Sequence, residues 1–380
     1  MSALAIIPDG ALLIRDGRIE DVGPTRRIER LKTARNAIEV DATGSIVLPG
    51  FVDSGTRPAF AHAAGESFQV GISAFADAKK TVLEDNAASV LSGMVRHGTL
   101  ATEVMTGYGG DTAGELRLMR LYASLQNRNA SLITSLVLSG YVPSNFEGDA
   151  ASWTASRLLP LLATAAHVRL LQSATAMIGE EGVKVSEART FLTAARSANI
   201  HTKIQTTPEC SDDTSALLAL ESQVTVVNGL EGPRPELRSA LANSNVILAL
   251  APAVTYAQHR DRFAPARDLI DRGGAISLGT NFSREGNSDY NMLHTMSLAC
   301  RFCGMSAAET LIAATLNAAH AVGCAEDRGS LEPGKFGDLV IFDCEDYSDL
   351  VRNSAVHQVS RVLRQGNTVY RRGRVEELQL

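Results

Sequence analysis

Val47-Leu48-Pro49-Gly50-Phe51-Val52-Asp53-Ser54-Gly55-Thr56-Arg57-Pro58 stands where two differently patterned parts of this 380-residue chain meet. Before it the sequence reads as short β structure; after it, short apolar runs alternate with helical stretches. Ile46 to Ser54 is therefore a candidate strand, the first of a series. In parallel α/β folds the chemistry collects at the C-terminal ends of such strands. Here that end carries Gly55 and Arg57. Glycine has no donor to give a cation, and a guanidinium repels one.

Working outward, Leu12 to Arg15 and Arg18 to Val22 flank an Asp16-Gly17 turn, a hairpin signal. Ala37 to Val40 and Ser45 to Leu48 read as further short strands. Gly337 to Asp343, Val359 to Leu363 and Thr368 to Tyr370 have the same character at the other end. The two ends are expected to join. Between them lie candidate strands at 46–54, 99–105, 131–138, 168–172, 202–206, 223–228, 246–251 and 275–280, with helices between. The first helix has Val82, Leu83, Val90, Leu91, Met94 and Val95 on one face and stops at Gly98. Eight βα units predict a closed (β/α)8 TIM barrel, residues 51–324. Segments 1–50 and 325–380 are expected to form a small composite β-sandwich domain.

The charge balance, 36 Lys+Arg against 42 Asp+Glu, and the lack of a long basic run argue against a nucleic-acid partner. No apolar run approaches the roughly 20 residues that cross a bilayer, so no membrane association is expected. Met1 to Asp9 lacks the basic start and apolar core of a signal peptide. The five cysteines include one Cys300-x-x-Cys303 pair on a helical stretch, read as buried thiols. A reducing, cytoplasmic setting is expected.

Several stretches resemble imidazolonepropionase, within the metal-dependent amidohydrolase superfamily. They are Leu48-Pro49-Gly50-Phe51-Val52-Asp53, Glu103-Val104-Met105-Thr106-Gly107-Tyr108-Gly109, Glu115 to Arg120, Glu181-Gly182, Thr315 to Ala319, and Gly329-Ser330-Leu331-Glu332-Pro333-Gly334-Lys335-Phe336-Gly337-Asp338-Leu339-Val340. Their order along the chain matches that family. The resemblance implies a TIM barrel with a composite β sandwich and a homodimer. It also implies a zinc or iron ion that activates water against the carbonyl of a cyclic amide-like substrate.

The residues at the implied ligand positions depart from that chemistry. His-x-His of the first strand is replaced by Gly55 and Arg57, the histidine of the fifth by Gln205, that of the sixth by Gly229, and the aspartate of the eighth by Asn281. Positions the family uses for substrate fall on Ala64, Gly140 and Pro208, with Glu209 adjacent, whereas Glu103 and Tyr108 match. No bound metal is therefore expected. The leading expectation is a homologue without the family's activity that serves a regulatory role or keeps a pocket for a small anionic ligand, with Arg57, Glu103, Tyr108, Gln205 and Asn281 as candidate contacts. An active metal-free hydrolase would instead use Arg57 and Glu209 as its candidate catalytic residues. A hydrolase of non-peptide C–N bonds with a relocated metal is the alternative. A third is a subunit paired with an active paralogue.

Arg57 can alternatively serve a structural ion pair, with Asp53, Glu103 or Glu209 as partner. Gln205 and Asn281 can simply satisfy one another and Arg57. His62 reads as a surface loop histidine, and Arg284-Glu285 as a solvated pair in the loop after the eighth strand.

Overall fold

The computed structural model describes residues 3–126, 131–143, 146–179, 182–206, 212–230 and 232–373. Eight parallel strands form one sheet in the order β11-β10-β9-β8-β7-β6-β5-β4. They are β4 (Phe51–Thr56), β5 (Thr99–Met105), β6 (Ser131–Leu138), β7 (Ser173–Ile178), β8 (His201–Thr206), β9 (Val226–Asn228), β10 (Ile247–Leu250) and β11 (Ile276–Leu278). The ends of this sheet meet: Ser54 Oγ donates to the Leu278 carbonyl at 3.2 Å, and Arg57 N–H donates to the Phe282 carbonyl at 2.8 Å. The fold is a (β/α)8 TIM barrel. Helices such as Lys80–Arg96 pack outside, and Gly98 ends that helix at φ +91°, where a side chain is disfavoured.

A second, antiparallel sheet joins the two ends of the chain. Its order is β14 (Asn367–Arg371), β13 (Val359–Arg364), β12 (Leu339–Phe342) and β3 (Ile46–Pro49). The hairpin β1 (Gly10–Arg15) and β2 (Arg18–Pro24) packs Leu12 and Ile14 against Leu339, Ile341 and Leu363 of that sheet. This apolar layer is the core of the β sandwich.

The deciding stretch is thus two strands. β3 pairs with β12, and β4 pairs with β5. The break falls at Gly50, whose N–H bonds the Asp338 carbonyl while Phe51 N–H bonds that of Gly98. A Cβ at Gly50 would lie 2.7 Å from Leu100 Cδ1, so the chain crosses between sheets where only glycine fits.

Three expectations are corrected. The fourth barrel strand is Ser173–Ile178, not 168–172. Val168 is half exposed and Arg169 has φ +56°, so the apolar run is a turn. The true strand is rich in small residues because it is buried on both faces, and Ser135 and Thr175 share a 2.9 Å hydrogen bond. Residues 37–40 form no strand; a short helical turn, Lys32–Asn36, precedes them and Ile38 is exposed. Val82 also faces solvent, so the buried stripe of its helix starts at Leu83.

Candidate functional site

Side chains two apart on a strand share a face. Asp53, Glu103 and Lys203 therefore point to the same side as Gly55, Met105 and Gln205. That side is the barrel interior: Lys203 Nζ donates to Glu103 Oε2 at 2.6 Å although β6 and β7 lie between their strands. Both residues are almost fully buried. Asp53 accepts from Thr280 Oγ1 at 2.6 Å, from Thr280 N at 3.0 Å and from Gly55 N at 3.2 Å. Burial still dominates these bonds and raises its pKa to about 7, helped by the nearby Glu103 charge.

Above this polar layer is the mouth. Arg57 follows β4 and is 4% exposed. Its Nη1 lies 3.7 Å from Glu285 Oε1, and its Nη2 lies 3.9 Å from the Met177 sulfur. Its Nε is buried with no hydrogen-bond partner among the described residues. Its cation sits 5.7 Å from the centre of the Phe68 ring.

Glu285 reaches the mouth through the loop after β11. Ser283 N–H bonds the Asn287 carbonyl at 2.8 Å, and Asn287 Nδ2 holds the Thr280 and Asp289 carbonyls. In this tight turn Arg284 lies over the Phe60 ring, 4.8 Å from its centre, while Glu285 borders the mouth. The Tyr108 hydroxyl donates to Glu285 Oε2, and His62 Nε2 lies 3.8 Å from the same oxygen. Burial works against the Glu285 carboxylate, but His62, Arg57 and Tyr108 outweigh it and hold its pKa below the usual value. Burial, then the Glu285 charge, pushes the Tyr108 phenol well above its ordinary range. Tyr108 is fixed from behind: Glu115 accepts from Gly107 N at 3.1 Å and Gly109 N at 2.8 Å. A Cβ on Gly109 would fall 2.2 Å from Glu115 N, so this turn requires glycine.

The partners expected from sequence are thus revised. Arg57 pairs with Glu285; Asp53 is held by Thr280, and Glu103 by Lys203. His62 is buried, and Glu285 belongs to the mouth rather than to a solvated surface pair. Gln205 Oε1 and Asn281 Oδ1 are buried without a hydrogen-bond partner among the described residues, so they satisfy neither each other nor Arg57.

Arg57, Gln205, Asn281 and Glu285 border one cavity of about 190 Å³, with apolar walls from Phe68, Met177, Leu230, Leu250 and Val254. Glu103 and Tyr108 are not among its walls; one lies in the layer below and the other stands behind Glu285. Glu209 and Pro208 lie outside the described residues. Glu285 carried no sequence signal beyond its place in the loop after a strand end. The unpaired charge of a buried Arg57 is what demanded it.

Residues 46–369 match the amidohydrolase family. The chain belongs to that family. Among its relatives, the imidazolonepropionase of Solibacter usitatus is 31% identical over 392 residues, covering 98% of this chain and 93% of the relative. That of Chloroflexus aggregans is also 31% identical, over 97% and 92% of the two chains. This amidohydrolase is therefore imidazolonepropionase-like along its length. Solved structures agree on the fold. A triazine hydrolase variant superposes with a TM-score of 0.77 at 16% identity, covering 96% of this chain and 91% of that one. A zinc-bound adenosine deaminase from Xanthomonas campestris gives 0.73 at 18%, over 96% and 88%.

Proposed function

We propose that this imidazolonepropionase-like amidohydrolase has given up metal-dependent hydrolysis and keeps its barrel mouth as a binding site for a small carboxylate-bearing molecule, with Arg57 as the cationic anchor. The observation that carries the reading is the donor set at the strand ends. Gly55 and Gly229 supply no donor, Arg57 supplies a cation, and Gln205 and Asn281 supply neutral amides. These residues do not fit a divalent metal. Gly229 is at φ +85°, and a Cβ there would meet Thr206 Oγ1 at 2.6 Å, so its backbone is built for glycine. Among the described residues no group of three or more His, Cys, Asp or Glu is placed to hold a metal ion elsewhere.

A guanidinium in place of a cation keeps the positive charge but cannot generate hydroxide; it binds oxyanions, two N–H groups to two oxygens. The Nε–Nη2 edge of Arg57, which has no oxygen acceptor among the described residues, supports that use.

The test is elemental analysis of protein purified without chelators, together with calorimetric binding of short carboxylates and an assay with imidazolone propionate. The expected result is no stoichiometric metal, no hydrolysis, and carboxylate binding that Arg57→Ala abolishes. Stoichiometric zinc, iron or manganese with chelator-sensitive turnover would overturn the proposal. Turnover that survives chelation and is lost in Arg57→Ala would replace it with a metal-free hydrolase.

A further inference from the structure

We infer that the mouth selects small zwitterions, molecules carrying a carboxylate and a protonated amine a few bonds apart, and that Glu285 is the residue that reads the amine. The inference rests on the reading of Arg57 as the carboxylate anchor and goes further by assigning the other half of the ligand.

Two sets of unengaged groups among the described residues bear on the charge of the ligand. One is the Nε–Nη2 edge of Arg57, a donor pair whose nearest acceptor among the described residues is a thioether sulfur. The other is a set of acceptors. Gln205 Oε1 and Asn281 Oδ1 are buried without a partner among the described residues. Glu285 Oε1 is 3.7 Å from the nearest Arg57 nitrogen, beyond hydrogen-bond distance, while Oε2 is taken by Tyr108. A buried acceptor left unpaired costs free energy that a simple carboxylate cannot recover, since it brings no donor. An ammonium brings three.

Charge leads to the same ligand. Glu285 is held ionised by Arg57, His62 and Tyr108, so it offsets the Arg57 charge. Arg260, which also borders the cavity, is already engaged. A plain anion entering here gains Arg57 but meets the Glu285 carboxylate, a like-charge contact that penalises it. A zwitterion meets a partner of opposite sign at each end. The apolar walls leave room for a short methylene spacer.

The experiment is calorimetric titration of the full chain with two matched pairs, β-alanine against propionate and 4-aminobutyrate against butyrate, at neutral pH. At least one amine is expected to bind roughly tenfold or more tightly than its partner without nitrogen. Glu285→Gln, which still accepts from Tyr108, is expected to weaken that amine roughly tenfold and to leave or improve the plain carboxylate. Plain carboxylates binding as well as the amines in the unaltered protein, or both classes weakening alike in Glu285→Gln, would overturn the inference. In either case Arg57-dependent carboxylate binding would leave the reading of Arg57 intact. Binding of none of the four compounds would overturn both readings, and stoichiometric metal in the same preparation would identify the reason.

Discussion

Arg57 Nη1 and Glu285 Oε1 face each other at 3.7 Å, joining the end of β4 to the loop that follows β11. The pair closes the seam of the barrel with charge, as the Arg57 N–H to Phe282 carbonyl bond closes it with backbone. Glu285 is mostly buried, and His62, Arg57 and Tyr108 help to hold it ionised. Arg57→Ala is therefore expected to destabilise the protein at pH 7 by on the order of 2 kcal/mol, the cost of stranding a buried charged group. The folded pKa of Glu285 lies below its ordinary 4.5, so its stabilising contribution is present above that value and is lost as pH falls. The penalty in urea unfolding should accordingly be largest near neutrality and shrink at acid pH. A penalty that is independent of pH would remove Glu285 from the explanation.

Asp53 behaves in the opposite sense. Its folded pKa of about 7 exceeds the ordinary 3.8, so the folded state holds a proton that the unfolded chain has released. Its contribution to stability falls as pH rises from 3.8 to about 7, by about 4 kcal/mol at most. Asp53→Asn keeps an oxygen for the Thr280 and Gly55 N–H groups and offers its amide to Thr280 Oγ1. This variant should be more stable than the parent at pH 8 and should flatten the stability profile between pH 4 and 7. A variant less stable than the parent at pH 8 would contradict the burial argument.

The barrel was legible in the sequence because its strands and helices alternate and because Gly98 and the Gly107 to Gly110 turn mark where elements end. The candidate strand 46–54, by contrast, runs through Gly50, where the structure breaks it into β3 and β4. β7 was missed for a physical reason: Ser173-Ala174-Thr175-Ala176 is small and polar, which suits a crowded interior but gives no apolar signal. The candidate site was half legible. Arg57 stands at a strand end, Gln205 and Asn281 stand at positions that the family resemblance implies, and all three border the cavity. Glu285 sits in a polar loop and His62 in an alanine-rich one, where the Ser283–Asn287 turn and the Phe60 packing decide which way a side chain points. Neither contact can be read from spacing along the chain.

Positions 55, 57, 205 and 281 lie close together at the strand ends, although the donors they carry do not suit a metal. A Cβ added at Gly55 would lie 3.5 Å from Asn281 Oδ1 and 3.5 Å from Met105 Sδ, ordinary contacts. Arg57, Gln205 and Asn281 already share one cavity. Combining Gly55→His, Arg57→His, Gln205→His and Asn281→Asp places three imidazoles and a carboxylate there, a set that zinc accepts. The combined variant is expected to bind one zinc ion per chain, measured by elemental analysis after dialysis, whereas the parent retains none. A folded variant that takes up no zinc would show that the strand ends have drifted apart.

Beneath the mouth, the Lys203–Glu103 pair spans the barrel at 2.6 Å with both side chains almost fully buried. Oε1 of Glu103 has no hydrogen-bond partner among the described residues, so the pair is incompletely satisfied. A buried ion pair of this kind contributes little net stability, because desolvation offsets attraction, but breaking it strands a charge. Lys203→Met should therefore cost roughly 3–5 kcal/mol, while Lys203→Met combined with Glu103→Leu should recover most of that loss. Urea unfolding of the two single variants and the double variant closes the cycle. A double variant as unstable as Lys203→Met would mean that the pair, rather than the packing around it, holds β5 and β8 in register across the barrel.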